Sequence, residues 1–241
     1  MSLVSSNRLK GSLGALRPSL MEGTEALSLA EQIATQLAES IINDVYVPGT
    51  RIHEVVISER FQVSRGPVRE ALRILENAGL VSIQPRRGAI VTDLSVAEVE
   101  DVFEIRAVLF GLAARRLARN CPPETLSQIE ERIAELQELT KQAEDEVIRY
   151  VAISQELSFL ICTGSERLTT IVYSLFHQTI RYTRIGLSTS EGRQISAQTW
   201  AALLASIRAG TEDDAEIKAR KLVNNSRKMA IKMLRNEAGD T

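Results

Sequence analysis

Three arginines recur at every fourth position of one segment: Arg65, Arg69 and Arg73. Residues four apart lie on one face of an α-helix, so this spacing predicts a helix with a basic side. Another face of the same helix carries three apolar residues: Val68, Leu72 and Leu75. An apolar face allows the helix to pack on a domain. Guanidinium groups bind phosphates and the edge of guanine, so the segment predicts a helix that reads DNA.

Both ends of this helix have the expected terminal residues. Ser64 precedes it and is predicted to accept a hydrogen bond from the first free backbone N–H groups. Pro67 falls in the first turn, where a missing N–H costs nothing. Gly79 follows the last turn, where a left-handed conformation favours glycine.

A helix-turn-helix is predicted around this segment. Apolar residues repeat every four positions within 27–43 and predict a first amphipathic helix. A Pro48–Gly49 turn follows, and then a short helix from about Glu54 to Phe61. Only Gln62 and Val63 separate that short helix from the Ser64 helix, and so tight a turn is typical of a helix-turn-helix.

The residues after Gly79 predict a β-hairpin that forms the wing of a winged helix-turn-helix. Alternating β-branched residues in 80–84 and 89–92 flank a tip that contains proline and glycine. The tip carries Arg86 and Arg87, which would reach phosphates or the minor groove, and Gly88 would let the backbone approach closely.

Helical periodicity dominates from Asp93 onward, beginning with a capping box from Ser95 to Glu98. The predicted helices cover 96–119, 124–144, 146–163, 165–185, 192–209 and 212–236. Pro122–Pro123 and four glycines are the expected breaks: Gly164, Gly186, Gly192 and Gly210. The fold class is therefore mainly α, a winged helix-turn-helix followed by an all-helical bundle. The expected domains are a flexible arm at 1–25, the winged domain at 26–93 and the helical domain at 94–241.

Composition excludes several other classes. The net charge is −2, yet the segment from Arg51 to Arg87 contains seven arginines, no lysines and four acids. A local DNA-binding face is therefore compatible with an acidic chain. We expect a cytoplasmic protein with free thiols, because no apolar run is long enough to span a membrane and Cys121 and Cys162 are isolated. No catalytic triad, Cys/His pair or phosphate loop is present, so we expect no enzyme and no cofactor.

The sequence resembles the GntR family of bacterial transcription regulators, in the FadR-like branch with an FCD effector domain. The resemblance covers about residues 27–236 and is stronger in the first domain. The matching segments are Pro48–Arg51, Ile52–Glu54, Val63–Leu72, Gly79–Val81, Pro85–Gly88 and, in the opening FCD helix, Glu104–Arg106 with Leu109, Ala113 and Ala114.

The resemblance implies a homodimeric regulator, usually a repressor, that binds two-fold symmetric operator DNA and is released by a small metabolite. Residues at the family's operator-contacting positions are Ser64, Arg65 and Arg69, and those at backbone or wing positions are Arg51, Arg86, Arg87 and Gly88. Arg73 lies farther along, with Glu70 and Glu76 within ion-pairing reach.

Many FCD domains hold a divalent metal with an aspartate and three histidines, and this sequence departs from that pattern. The corresponding positions fall on Ala152, on Glu156, near Trp200 and near Asn225–Ser226. Of the two histidines, only His177 lies in the helical half, so we expect no metal site of the usual kind.

Arg106 is the leading candidate for effector binding. An arginine on the first bundle helix that points inward would bind an acidic metabolite, such as an organic acid, through two hydrogen bonds. The alternative is an internal ion pair with a carboxylate such as Glu156. Other candidate residues for the same cavity are Tyr150, Glu156, Arg181 and Trp200.

Two rival functions remain open. One is a metabolite-binding helical protein whose winged domain serves mainly dimerisation, which would leave the exposed face of the Ser64 helix bare or acidic. The other is a metal-dependent sensor of the usual FCD kind.

Overall fold

The structure, a computed structural model, describes residues 27–84, 87–140 and 146–239, the last four of these by backbone alone. The arm predicted at 1–25 and the tip residues Pro85 and Arg86 lie outside the described residues. The chain is mainly helical and divides into two compact units between Leu94 and Ser95. They are called the winged unit, up to Leu94, and the bundle unit, from Ser95. No helix within the described ranges is long and apolar enough to cross a membrane.

The winged unit contains the predicted helix-turn-helix and hairpin. Its elements are α1 (Leu29–Ile42), β1 (Arg51–Ile52), α2 (Glu54–Phe61), α3 (Arg65–Asn77), β2 (Val81–Gln84) and β3 (Gly88–Val91). The periodic apolar residues of α1 and α3 meet in one core. Val68 and Leu75 are fully buried there, against Ile33 and Leu37 of α1. The arginine face of α3 is thereby turned away from the core.

Ser64 occupies the N-cap position of α3, but its side chain forms no capping hydrogen bond. The expectation of a capping serine was wrong for a physical reason. An N-cap side chain accepts from the second or third N–H of the helix, and the third position here is Pro67, which has no N–H. The other end agrees with expectation, since Gly79 has φ +76° immediately after the C-cap residue Ala78.

The sheet contains three strands in the order β1-β3-β2, all antiparallel. The hairpin of β2 and β3 matches the sequence prediction, with Gln84 opposite Gly88. The two-residue strand β1 pairs Arg51 with Ile90 and was missed, because two residues are too few to show an alternating pattern.

The wing is also joined to α3 by a side chain. A carboxylate oxygen of Glu76, in the last turn of α3, accepts a hydrogen bond of 2.8 Å from the backbone N–H of Ile83 in β2. This bond links the wing to the helix that carries the arginines.

The bundle unit consists of α4 (Val96–Arg119), α5 (Pro123–Leu139), α6 (Val147–Cys162), α7 (Glu166–Leu187), α8 (Ser190–Ala209) and α9 (Glu212–Gly239). The predicted capping box of Ser95 and Glu98 is present at the start of α4. Helix α5 ends earlier than predicted, at Leu139, and residues 141–145 lie outside the described residues.

Two of the glycines expected to break helices lie inside them instead. Gly186 is in α7, and a Cβ at this position would lie 3.0 Å from the Cβ of Met229 in α9. Gly192 is in the first turn of α8, and a Cβ there would lie 2.2 Å from the carbonyl oxygen of Gly186. Both glycines therefore allow close packing between helices.

Helices α4 and α9 run antiparallel along the bundle unit. Four ion pairs show the direction, because the α9 numbers fall as the α4 numbers rise: Glu100–Arg235, Glu104–Arg227, Arg115–Glu216 and Arg119–Glu212. Below them the core contains large aromatic side chains, including Phe103, Phe110, Phe176 and Trp200. Helix α4 thus has one face in the core and one face on the surface.

We predict that Glu76→Ala speeds hydrogen exchange at the Ile83 amide about tenfold, the equivalent of losing one charge-assisted hydrogen bond. Hydrogen exchange of the full chain, resolved at single residues by NMR, measures this. Glu70→Ala is the matched control, because Glu70 is exposed on the same helix and forms no hydrogen bond or ion pair among the described residues. Equal exchange at Ile83 in both variants would show that Glu76 does not hold the wing.

Candidate functional site

The first candidate surface is the exposed face of α3. Arg65 is the first residue of the helix, and its side chain is exposed, as are those of Ser64, Arg69 and Arg73. The apolar residues on the opposite side fix this orientation. In a helix-turn-helix the N-terminal residues of the second helix are the ones that contact base edges. Ser64 and Arg65 are the exposed residues at that N-terminal end.

Arg69 has a partner inside the winged unit. Its Nε donates a 2.8 Å hydrogen bond to a carboxylate oxygen of Glu54 in α2, while the arginine side chain remains 61% exposed. An exposed ion pair contributes little free energy, so a phosphate or a base could replace Glu54 at small cost. We therefore propose that Arg69 contacts a base only after its guanidinium has left Glu54.

Arg73 differs from the expectation that Glu70 and Glu76 pair with it. Among the described residues no carboxylate lies within ion-pairing distance of Arg73, and Glu76 is engaged with the backbone of Ile83. Arg73 therefore extends the basic face of α3 by one more turn.

The base of the wing assembles several of the predicted contact residues. Gly88 has φ +78°, a conformation that favours glycine. A Cβ at Gly88 would lie 3.8 Å from Nε of Arg51, so the Arg51 guanidinium lies beside this turn. Arg87 is exposed in the same turn, and its N–H donates to the carbonyl oxygen of Gln84. Arg51, Arg87 and Gly88 thus lie together at the base of the wing, whereas Arg86 is outside the described residues.

The second candidate site surrounds Arg106, which α4 directs into the bundle unit. Arg106 is only 6% exposed. Its Nη1 donates hydrogen bonds to the hydroxyl oxygens of Thr179 at 2.8 Å and Thr183 at 3.4 Å, both on α7. The guanidinium carbon also lies 4.6 Å from the ring centre of Phe176 and 5.6 Å from that of Phe103. Two hydroxyls and two aromatic faces therefore hold the cation.

No carboxylate among the described residues neutralises Arg106. Burial lowers the pKa of its guanidinium to about 10, and among the described residues only ionisation of the Cys162 thiol would oppose this shift. Burial in turn raises the pKa of the Cys162 thiol to about 12, so the thiol is neutral at neutral pH. Arg106 consequently carries a buried positive charge without a protein counter-charge in the described chain.

The expected alternative, an ion pair between Arg106 and Glu156, was wrong. Glu156 lies at the surface of α6, 42% exposed, and its carboxylate is 3.7 Å from Arg132 of α5. Burial raises the pKa of Glu156, and Arg132 partly offsets that effect. Glu156 sits on the outer side of its helix, which explains why it does not reach a residue buried in the core.

The other candidate residues make their contacts elsewhere. The Tyr150 hydroxyl is buried and donates to the backbone carbonyl of Arg193 at 3.0 Å, and burial raises the pKa of Tyr150 to about 12. Trp200 packs edge-on against Phe110, with ring centres 6.1 Å apart. Arg181 is half-buried on α7. Arg106 is therefore surrounded by a different set from the one predicted.

Sequence reasoning missed the residues that contact Arg106: Phe103, Phe176, Thr179 and Thr183. The four-residue spacing of the two threonines on α7 was the available signal, since it places both hydroxyls on one helix face.

A small cavity lies next to this arginine. Its wall includes Gln155, Ser158 and Tyr173 together with Cys162 and Phe176, which also neighbour Arg106. The cavity of about 10 Å³ has room for about one water molecule. Binding of an organic molecule would require the surrounding side chains or helices to move apart.

The residues at the family's metal positions do not fit a metal. Glu156 is engaged with Arg132, Trp200 fills the core, and the side-chain amide of Asn225 donates to Thr199. His177 is 1% exposed and packs edge-on against Tyr173, with ring centres 4.4 Å apart. Within the described ranges no three His, Cys, Asp or Glu residues cluster closely enough to hold a metal ion.

Comparison with known proteins gives relatives for both units. The HTH-type transcriptional regulator YdhC of Bacillus subtilis (strain 168) is 36% identical over 104 residues, 43% of this chain and 46% of that protein. The HTH-type transcriptional repressor RspR of Escherichia coli (strain K12) is 37% identical over 103 residues, 43% of this chain and 45% of that protein. The chain thus matches slightly less than half the length of these curated relatives.

The fold has solved counterparts as well. The structure of E. coli McbR/YncC superposes with a TM-score of 0.72 at 18% identity, covering 86% of this chain and 99% of that one. The family model for bacterial regulatory proteins of the gntR family matches residues 29–91, which contain the winged unit's elements. The model for the FCD domain matches residues 101–225, more than half of the chain. The chain therefore belongs to the GntR family of bacterial regulatory proteins, in the group with an FCD domain.

Proposed function

We propose that this chain is a ligand-responsive transcription regulator, a repressor, that binds a two-fold symmetric operator as a homodimer in the bacterial cytoplasm. The observation that carries the proposal is the exposed arginine face of α3, presented by a helix whose other side is buried in the winged unit. The repressor role is suggested by the relative RspR, which is named a repressor. The proposed function is transcription regulation, not catalysis.

The geometry assigns a role to each group of DNA-binding residues. Arg65, at the start of α3, would enter the major groove first and bind guanine through two hydrogen bonds. Ser64, whose hydroxyl makes no capping bond, would contact the backbone or a base edge. Arg51 and the wing residues Arg86, Arg87 and Gly88 would contact phosphates on the flank.

The exposed arginine face of α3 also disfavours the alternative function in which the winged unit serves only dimerisation. Such a protein needs no exposed cations on α3, and an apolar or acidic face would serve it better. Arg65 and Arg73 are exposed and have no ion-pair partner among the described residues. Unpaired arginines on one helix face are suited to a polyanion.

We propose a small organic anion as the effector, bound by Arg106. Because one pKa unit corresponds to about 1.4 kcal/mol, lowering the Arg106 pKa to about 10 costs the folded chain on the order of 3 kcal/mol. Nη1 is the only atom of Arg106 that donates to a described residue, so other N–H groups are free to bind a carboxylate. An anion would supply the missing counter-charge and offset this cost.

Effector binding would also change the conformation of the bundle unit. The cavity beside Arg106 has room for about one water molecule, so an organic acid would fit only after neighbouring groups shift. A ligand that binds an opened state better than the closed one shifts the population toward it. Such a shift would alter the placement of the two winged units and hence the operator affinity.

We expect Arg65→Ala to weaken binding to operator DNA by about 1–3 kcal/mol, roughly tenfold to a hundredfold, because it removes a two-point contact to guanine. Fluorescence anisotropy with promoter DNA from the gene's own neighbourhood measures this. Arg167→Ala is the control, since Arg167 is exposed on the bundle unit and has no ion pair among the described residues. Wild-type affinity in Arg65→Ala would remove α3 as the reading helix.

Arg106→Met is expected to raise the unfolding free energy of the ligand-free chain by about 1–3 kcal/mol, because it removes a buried, uncompensated charge. In wild type the Arg106 pKa is lowered in the folded state, so the cost is full below pH about 10 and disappears as the pH rises toward the ordinary pKa of an exposed arginine. Thermal unfolding at neutral pH, with and without a panel of organic acids, is the measurement.

A true effector should raise the Tm of wild type and leave that of Arg106→Met unchanged. Arg167→Met controls for the loss of a cation and should respond like wild type. An acid that stabilises Arg106→Met as strongly as wild type would show that Arg106 is not its ligand.

A further inference from the structure

An open groove lies between the first half of α4 and the last half of α9 in the bundle unit. Its volume is about 530 Å³, which is in the range of sites that bind small molecules. Arg106 does not line it, so the groove is distinct from the buried cavity described above. The lining residues come from α4 (Glu100 and Glu104) and from α9 (Arg227, Lys228, Ile231, Lys232 and Arg235).

The α9 side of this groove belongs to a strongly basic stretch of the chain. Residues 217–236 contain seven lysines and arginines and no aspartate or glutamate, although the whole chain has a net charge of −2. Four of these cations line the groove and only two carboxylates face them, so the lining has a net charge of +2. A concave surface with one excess sign of charge concentrates its field and attracts ions of the opposite sign. The groove therefore favours an anionic ligand.

The four cations form two pairs along the groove. Arg227 and Lys228 lie at one end, and Lys232 and Arg235 lie at the other. The centres of the two pairs are six residues apart along the chain, which corresponds to about 9 Å along the helix axis. Ile231 lies between them and is nearly buried. Each end thus offers one guanidinium and one ammonium group, with an apolar residue in the middle.

These cations are available to a ligand at small cost. The two lysines are exposed and form no hydrogen bond or ion pair among the described residues. Each arginine is paired with one carboxylate of α4 at the surface: Glu104–Arg227 and Glu100–Arg235. Surface ion pairs contribute little free energy, and a phosphate carries a charge of about −1.5 to −2 at neutral pH. A phosphate can therefore replace the carboxylate at either end.

We propose that this groove binds a small molecule with a phosphate group at each end, such as a sugar bisphosphate. Each phosphate would accept two hydrogen bonds from an arginine and lie beside the ammonium group of a lysine. The carbon skeleton would lie over Ile231. A separation of about 9 Å between the cation pairs suits two phosphates on a short carbon chain, whereas pyrophosphate is too short to reach both pairs. This site does not depend on the proposed regulator function.

Calorimetry with a bisphosphate and a monophosphate tests the two-ended recognition. The probes are fructose 1,6-bisphosphate and fructose 6-phosphate, titrated into the full chain at low ionic strength. The bisphosphate should bind at one site per chain. It should bind about tenfold or more tighter than the monophosphate, because its second phosphate is already held near the second cation pair.

Removal of the two unpaired lysines tests the location of the site. Lys228→Gln/Lys232→Gln should raise the dissociation constant of the bisphosphate about tenfold or more, because each phosphate loses one cation. Arg167→Gln/Lys221→Gln is the matched control, since it removes two exposed cations that do not line the groove. The control should bind the bisphosphate like wild type.

Removal of the two carboxylates tests the same site by a gain of affinity, which a misfolded variant would not show. Glu100→Gln/Glu104→Gln releases both arginines and removes two repulsive charges, so the bisphosphate should bind about fivefold tighter. The control is Glu124→Gln/Glu166→Gln, which removes two exposed carboxylates outside the groove. It should leave the affinity unchanged.

Four results would overturn the site: no binding of the bisphosphate, equal affinity for the monophosphate, equal losses in the lysine variant and its control, or no gain in the carboxylate variant. If the lysine variant instead weakens binding of promoter DNA and the bisphosphate does not bind, the basic stretch contacts DNA phosphates and the groove is not a small-molecule site. If the bisphosphate binds as expected but the chain binds no promoter DNA, the regulator function fails and the site stands.

Discussion

A positive charge buried in the bundle unit constrains the rest of that unit. The Arg106 guanidinium is held between the rings of Phe103 and Phe176 and bonds two threonine hydroxyls of α7. Each hydroxyl contact requires α7 to pack at a fixed register against α4. The arrangement tolerates the charge without neutralising it, which leaves the folded unit with an electrostatic cost that a bound anion would remove.

Helix α4 carries Arg106 and also contacts other helices of the bundle unit. Its inner face carries Arg106, and ion pairs at both ends join it to α9. A ligand that displaces Arg106 would therefore displace α4 and, through these ion pairs, α9.

The two faces of α3 in the winged unit have different roles. Buried aliphatic residues hold α3 against α1, and the opposite face is left to arginines and Ser64. Pro67 removes one of the two N–H groups that a capping serine can use, and the Ser64 side chain makes no capping bond. Glu76 holds the wing to the same helix. Local choices of residue thus leave Ser64, Arg65 and Arg73 exposed on the side where DNA would lie.

Most of the fold was predictable because it depends on local patterns. Apolar periodicity gave the helices, and the wing followed from β-branched residues around a turn. The predictions were wrong where a long-range contact determines the local structure. The glycines at 186 and 192 permit close helix packing and break nothing, and the short strand β1 exists only because β3 pairs with it. The surroundings of Arg106 join residues more than seventy positions apart, which spacing in the sequence does not reveal.

An anion at Arg106 and the operator at α3 are proposed to compete through one conformational equilibrium. Linkage requires that each ligand changes the affinity of the other by the same factor. Isothermal titration calorimetry of a stabilising organic acid into the chain, with and without saturating operator duplex, tests this directly. The acid should bind more weakly to the operator complex, by the factor with which it weakens operator binding. Equal affinity for free and operator-bound chain would contradict the account.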